Sequence, residues 1–202
     1  MIGERHPVYG LRSEVLESNP DLTLEFSRYI HFGPGRTLSR EIFHVQARDV
    51  DSGWLEKELQ SLSDRQELAL HSKVTYKGKI YHIPMIDFAH REPVETVLLK
   101  LHDIRQPLPV EITLYDSGRS LHGYYFCLID EGDWYRFLGS LLLCNPPDLN
   151  REFTDSRWIG HSLEHGFSAL RWSHHSDLYR SLPELVDFSA ANRPPASEIP
   201  GM

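Results

Sequence analysis

Two short runs of alternating side chains, separated by a compact polar turn, constrain this chain more than any other stretch. On one side Val110, Ile112 and Leu114 alternate with Glu111, Thr113 and Tyr115, and on the other Leu121 to Ile129 is rich in aromatic and β-branched residues. The pattern predicts a hairpin whose turn is Asp116-Ser117-Gly118-Arg119-Ser120-Leu121-His122. Within seven residues that turn carries a carboxylate, two hydroxyls, a guanidinium and an imidazole, around a glycine that lets backbone N–H groups approach a ligand. Chemistry of that kind suits an anion, and a phosphate in particular.

The flanking elements follow from periodicity and punctuation. Upstream, Val74–Tyr76, a Lys77-Gly78 turn and Ile80–Phe88 read as a hairpin ending in Pro84-Met85-Ile86-Asp87-Phe88. Val94, Val97, Leu98, Leu101 and Ile104 then share one helical face behind Pro93, and Pro107-Leu108-Pro109 stops that helix. Downstream, Asp130 caps a helix through Trp134, Phe137, Leu138, Leu141 and Leu142, ended by Asn145-Pro146-Pro147. Phe153–Ile159 and Phe167–Ser173 are the remaining strand candidates.

From residue 80 the order is therefore β, α, β, β, α, β, the split βαβ or ferredoxin-like arrangement, with an antiparallel sheet, helices on one face and the other face free to bind. The expected class is α+β. Residues 1–79 are read as an N-terminal α/β lobe packed against this sheet, 80–190 as the RRM-like module, and 191–202, with Pro194, Pro195 and Pro200, as a flexible tail, all within one compact domain. In the lobe, a short helix is expected around Leu11–Leu16, a breaker at Gly33-Pro34-Gly35 and a strand over Arg40–Ala47. A helix capped by Asp51 or Ser52 follows, with a further helical turn from Asp64 to His71.

Composition narrows the function classes. A length of 202 residues suffices for a substantial core, and no run approaches the eighteen or so apolar residues of a membrane span. The absence of an apolar signal core in Met1–Gly10 predicts a cytoplasmic protein, and Cys127 and Cys144, both in apolar settings, read as thiols rather than a disulfide. The net charge of −8 argues against a dedicated duplex binder, because neutralising phosphates needs a basic surface. It leaves room for a site that grips nucleotides or strand ends with a few local arginines.

Three polar clusters carry the candidate chemistry. Asp87 sits at a strand end, where a carboxylate serves as a cap or as a functional group. The second cluster is the hairpin turn with Arg119 and His122. In the third, Asp155-Ser156-Arg157-Trp158-Ile159-Gly160-His161 is followed by Ala169-Leu170-Arg171-Trp172-Ser173. Asp155 could join Asp87 on a divalent cation, since Mg²⁺ and Mn²⁺ favour carboxylate oxygens. Arg157 and Arg171 could hold phosphates, and Trp158 and Trp172 either stack on bases or fill the core.

In this order the clusters resemble the three motifs of the archaeo-eukaryotic primase superfamily, primase-polymerase type: Met85-Ile86-Asp87, then Ser117-Gly118-Arg119-Ser120-Leu121-His122, then Asp155 with Ala169-Leu170-Arg171. The likeness spans roughly residues 80–175. It implies an RRM-like module beside a second α/β lobe, and a nucleotidyltransferase that makes or extends primers in nucleic-acid replication. It implies Mg²⁺ or Mn²⁺ on Asp87 and Asp155, and His122 with Ser117, Gly118 and Arg119 on the triphosphate, supported by Arg171. Asp87, Asp155 and His122 would be the catalytic set. The implied partners are nucleoside triphosphates, nucleic acid held weakly by this acidic chain alone, and a protein that supplies template affinity. One departure stands out: active members carry two acids one residue apart in the first motif, whereas Met85 and Ala89 flank Asp87 here, so Asp116 or another acid would have to substitute. An inactive relative that uses the groove to bind nucleotides, nucleic-acid ends or a protein is the alternative.

A competing motif is His161-Ser162-Leu163-Glu164-His165, the H-x-x-E-H of inverted zinc peptidases. That chemistry needs a helix and a third ligand downstream. Gly160 and Gly166 bracket a segment expected to be too short for the helix, with only Glu184, Asp187 and Glu198 beyond Asp177.

Overall fold

A computed structural model describes residues 2–31, 37–102, 108–146, 151–177, 179 and 181–187. The expected breaker at 33–35, the helix position Ile104, Pro107, Pro147 and the tail 191–202 lie outside them. The chain is a mixed α/β structure with five α-helices among the described residues and two antiparallel sheets.

The first sheet has the order β2 (Thr37–Gln46), β1 (Thr23–His31), β3 (Gln66–Tyr76), β4 (Lys79–His82), and β8 (Ala169–Arg171) also pairs with β3. Alternation sets its two faces. Leu24 and Phe26 of β1 and Leu68 and Leu70 of β3 are buried in one core with α1 (Pro7–Leu11) and α2 (Ser52–Ser61). Glu25, Ser27 and Tyr29 occupy the intervening positions. α2 starts where Asp51 accepts a hydrogen bond from Trp54 N at 2.7 Å, as the capping pattern predicts.

The second sheet has the order β5 (Met85–Asp87), β7 (Leu121–Tyr124), β6 (Thr113–Asp116), β9 (Glu184–Leu185). α3 (Val94–Leu101) and α4 (Glu131–Leu143) pack on one face, where Ile86, Phe88, Leu114 and Leu121 join Val97, Trp134, Phe137, Leu138 and Leu141 in a second core. The opposite face is not free as expected. Met85, Tyr115 and Tyr124 on it are buried in the first core with Trp172, whose indole N–H donates to Tyr124 Oη at 3.1 Å. At the end of that face lie Asp87, which is partly exposed, and His122, which is buried.

Three stretches differ from expectation. Residues 66–71 form part of a long strand and not a helical turn, because Glu67 through Ser72 are buried on both faces and hide the period of two. The run Ile80–Phe88 divides at Ile83-Pro84: β4 pairs with β3, whereas β5 pairs with β7. The proline has no N–H for a ladder, and its carbonyl accepts from Tyr125 N at 3.0 Å. Phe153–Ile159 is a strand only at one bridge, Phe88↔Thr154. From Ser156 it becomes α5 (Ser156–His165), because Asp155 caps the N–H groups of Arg157 and Trp158 and Gly166 closes the helix at φ 73°. The segment holding His161 to His165 is thus helical after all. Cys127 is a free thiol, and no helix among the described residues is long and apolar enough to cross a membrane.

Candidate functional site

In β5 the alternation that buries Met85 and turns Ile86 into the helix-covered core puts Asp87 on the other face, just beyond Met85. In β7 the same rule puts His122 beside Tyr124. The antiparallel register pairs Asp87 with His122 directly, and His122 Nε2 lies 3.9 Å from Asp87 Oδ1. Asp155 arrives from the other side: its backbone N–H donates to Asp87 O at 3.0 Å, while Ala89 N donates to Phe153 O at 3.1 Å. Asp87, His122 and Asp155 are thereby gathered at one end of the second sheet. Asp155 Oδ1 also caps α5, accepting from Arg157 N at 2.9 Å and Trp158 N at 3.0 Å.

The hairpin turn beside them is built from its own side chains. Ser117 N and Ser117 Oγ both donate to Ser120 O at 3.0 Å, and Asp116 Oδ1 accepts from Gly118 N at 2.9 Å. Gly118 has φ 88°, a conformation glycine adopts without strain. Ser117 is buried and Arg119 exposed. The second oxygen of Asp116 pairs with Arg91, so this acid faces away from Asp87 and is occupied.

Arg171 reaches the turn from the first sheet. Its Nη2 donates to Ser117 O at 2.6 Å and its Nη1 to Ser181 O at 3.2 Å, and its guanidinium lies 3.9 Å from the Tyr179 ring centroid. The side chain is 5% exposed. Glu67 holds the segment after β8 in place, accepting from Ser176 N and Ser176 Oγ at 2.6 Å, from His175 N at 3.2 Å, and from Ser173 Oγ. Arg171 is therefore a brace between the two sheets as well as a charge beside the site.

Electrostatics sharpen the picture. Removal from water, and then the neighbouring charge of Asp155, push the Asp87 carboxyl up to about 7, against the pull of Arg171, a hydrogen bond from Ser120 and Arg119. Burial, followed by the charge of Arg171, lowers His122 to about 3, so its imidazole is neutral at physiological pH. His122 Nδ1 is buried without a hydrogen-bond partner among the described residues. Carboxylate oxygens such as those of Asp87 and Asp155 are of the type that suits Mg²⁺ or Mn²⁺, but Asp87, His122 and Asp155 do not form a group whose ligand atoms all lie within 4.8 Å of one another.

Ser120 and Tyr179 are contributors that sequence reasoning did not assign. Ser120 was visible in the turn, but nothing in the sequence said that its hydroxyl meets Asp87. Tyr179 follows the last recognisable strand and carries no motif. Trp172 is fully buried, and Trp158 is tied through Nε1 to Ala169 O at 2.8 Å, so both serve packing. Among the described residues, the group of three metal-ligating side chains with ligand atoms all within 4.8 Å of one another is His161, Glu164 and His165, exposed on α5.

The chain matches no curated protein and no solved structure. Residues 46–184, which include every site residue named above, match the family model described as archaeo-eukaryotic primase 1D-like.

Proposed function

The chain belongs to the archaeo-eukaryotic primase 1D-like family, and from that premise we propose that it binds a nucleoside triphosphate with Mg²⁺ or Mn²⁺ at the Asp87, His122 and Asp155 cluster and transfers the nucleotide to a 3′-hydroxyl. The observation that carries this reading is the meeting of Asp87 with its cross-strand partner His122 and with Asp155, next to the Ser117–Arg119 turn. The pairing of residue 154 with β5, β5 with β7 and β7 with β6 is also the neighbour order expected of an RRM-like βαββαβ sheet, which supports that topology.

In this reading Asp87 and Asp155 hold the cation. When bound, the ion neutralises charge developing on the phosphates and helps activate the attacking hydroxyl. The 3′-hydroxyl gives up its proton to water and its oxygen forms a bond to the α-phosphorus while the α–β phosphoanhydride bond breaks and pyrophosphate leaves. Exposed Arg119 binds the phosphates at the rim of the turn, whose N–H groups at Ser117, Gly118 and Ser120 are engaged in holding its shape, and neutral His122 stands beside Asp87 as a further polar group of the site. Arg171, whose two Nη atoms already donate to carbonyls, fixes the turn and contributes positive potential without letting go of it.

A second reading has its own observation. Asp116, the acid named as a substitute in the first motif, is engaged by Arg91 and Gly118 N, and no second acid stands beside Asp87 on β5. That favours a relative that binds nucleotide, or a nucleic-acid end, without turnover. Primer synthesis and extension with labelled nucleotides and Mn²⁺, run beside calorimetry with a nucleoside triphosphate, separates the two. Product supports transfer, binding without product supports the second reading, and neither binding nor product overturns both.

A further inference from the structure

We propose that α5 carries a separate site for a zinc-class divalent transition ion, formed by His161, Glu164 and His165. The three are spaced i, i+3 and i+4, which stacks them on one helix face, and their ligand atoms all lie within 4.8 Å of one another. His161 Nδ1 lies 3.6 Å from Glu164 Oε2. Donor atoms about 2.0–2.2 Å from a tetrahedral zinc stand roughly 3.3–3.6 Å apart, so this pair already has the separation of two ligands on one ion.

One hydrogen bond orients the His165 ring for binding. Its Nδ1 lies 2.8 Å from His161 O, and a carbonyl only accepts, so Nδ1 is the donor and Nε2 is the ring nitrogen left for a metal. Metal-binding histidines are held in the same manner, by donating the second ring N–H to a neighbouring acceptor. The site also lies in the last turns of α5, just before Gly166, where the carbonyl end of the helix favours a cation.

Ligand chemistry separates this site from the Asp87 cluster. Two imidazoles and one carboxylate suit zinc and its neighbours in the first transition row, whereas two carboxylates suit Mg²⁺ or Mn²⁺. With a rise of about 1.5 Å per residue, the six to ten residues from Asp155 to His161 and His165 put roughly 9–15 Å of helix between the two. Glu164 lies among the ligand atoms and the group is exposed, so the arrangement is a binding site with outward coordination positions for water or an external donor. It lacks the enclosed cleft in which a peptidase glutamate activates water.

The test is titration of the full chain, free of any histidine tag, with Zn²⁺ by calorimetry and with Co²⁺ by visible absorption. One ion per chain is expected, with the absorption bands of low-symmetry cobalt. His161→Ala and His165→Ala should each weaken binding by roughly tenfold or more, with circular dichroism unchanged because both side chains are exposed. Asp87→Asn should bind as the wild type does. Absence of binding to the wild type, or equal binding by the His161→Ala/His165→Ala double variant, would overturn the assignment.

Discussion

Asp87 and His122 face each other across the β5–β7 ladder, and both are held away from their ordinary ionisation, the carboxyl raised to about 7 and the imidazole lowered to about 3. Neither shift comes from attraction within the pair, whose nearest atoms are 3.9 Å apart. Removal from water acts on both, Asp155 adds repulsion to one, and Arg171 adds it to the other. Strain of this kind is tolerated where a ligand relieves it.

Replacing Asp87 by asparagine should therefore stabilise the free protein at high pH. Because the folded pKa lies above the unfolded value, the native state holds an extra proton between about pH 4 and 7, and stability from this group falls as pH rises through that window. Urea unfolding should show Asp87→Asn roughly 1–3 kcal/mol more stable than wild type at pH 8, with the gap closing toward pH 4. A variant less stable than wild type at pH 8 would contradict the assigned repulsion.

Asp155 has two duties that substitution can separate. Asp155→Ala removes the cap of α5 and should cost about 1 kcal/mol, whereas Asp155→Ser keeps a capping oxygen and most of that stability. Both remove the charge, so both should lose cation-dependent nucleotide binding by calorimetry. Full binding by the serine variant would reduce Asp155 to a cap.

Arg171 should be the least replaceable of the site residues for folding. Arg171→Met leaves the carbonyls of Ser117 and Ser181 without their donor and should cost about 2–4 kcal/mol in urea unfolding, with nucleotide affinity falling too. Arg171→Lys should recover only part, because one ammonium cannot reproduce the fork that spans both carbonyls. A methionine variant as stable as wild type would show that the brace contributes nothing net.

Acid should destabilise the protein through buried neutral histidines. His6 and His82 are lowered to about 4 and His122 to about 3, chiefly by burial. Between about pH 6.5 and 4 the unfolded chain takes up protons that these rings in the folded state refuse, so stability rises with pH across that interval, outweighing the opposite trend of the single Asp87. The thermal midpoint should drop by roughly 5 °C or more from pH 6.5 to 4.5, each kcal/mol being worth about 2–4 °C at this size. A flat profile would mean that the rings are protonated in place.

Much of the second sheet was legible because its signals are local. The turn at Asp116–His122, the cap at Asp130 and the apolar stripe of α4 all lie within a few residues of the structure they specify. The first sheet was less so. β1 alternates Leu24 and Phe26 with Glu25, Ser27 and Tyr29, but the polar Glu25 and Ser27 are buried by neighbours far along the chain, His71 on Glu25 and Arg40 on Ser27. α5 is hidden for a different reason: Trp158 and Ile159 read as a strand, against the Asp155 cap and the Gly166 stop that define the helix. At the site, Asp87, His122 and Asp155 could be named from motif order. That Asp116 turns to Arg91 and that Arg171 grips Ser117 depend on how the sheets meet, which no local pattern encodes.

The hydrogen bond from Arg171 to Ser117 O ties a strand of one sheet to the Asp116–His122 turn of the other. Its donor and acceptor are 54 residues apart and belong to separately paired strands. Under the proposed function, the nucleotide site would be complete only when the two halves dock, so ligand affinity would report on their assembly and a saturating nucleotide would act as a clamp that resists their separation.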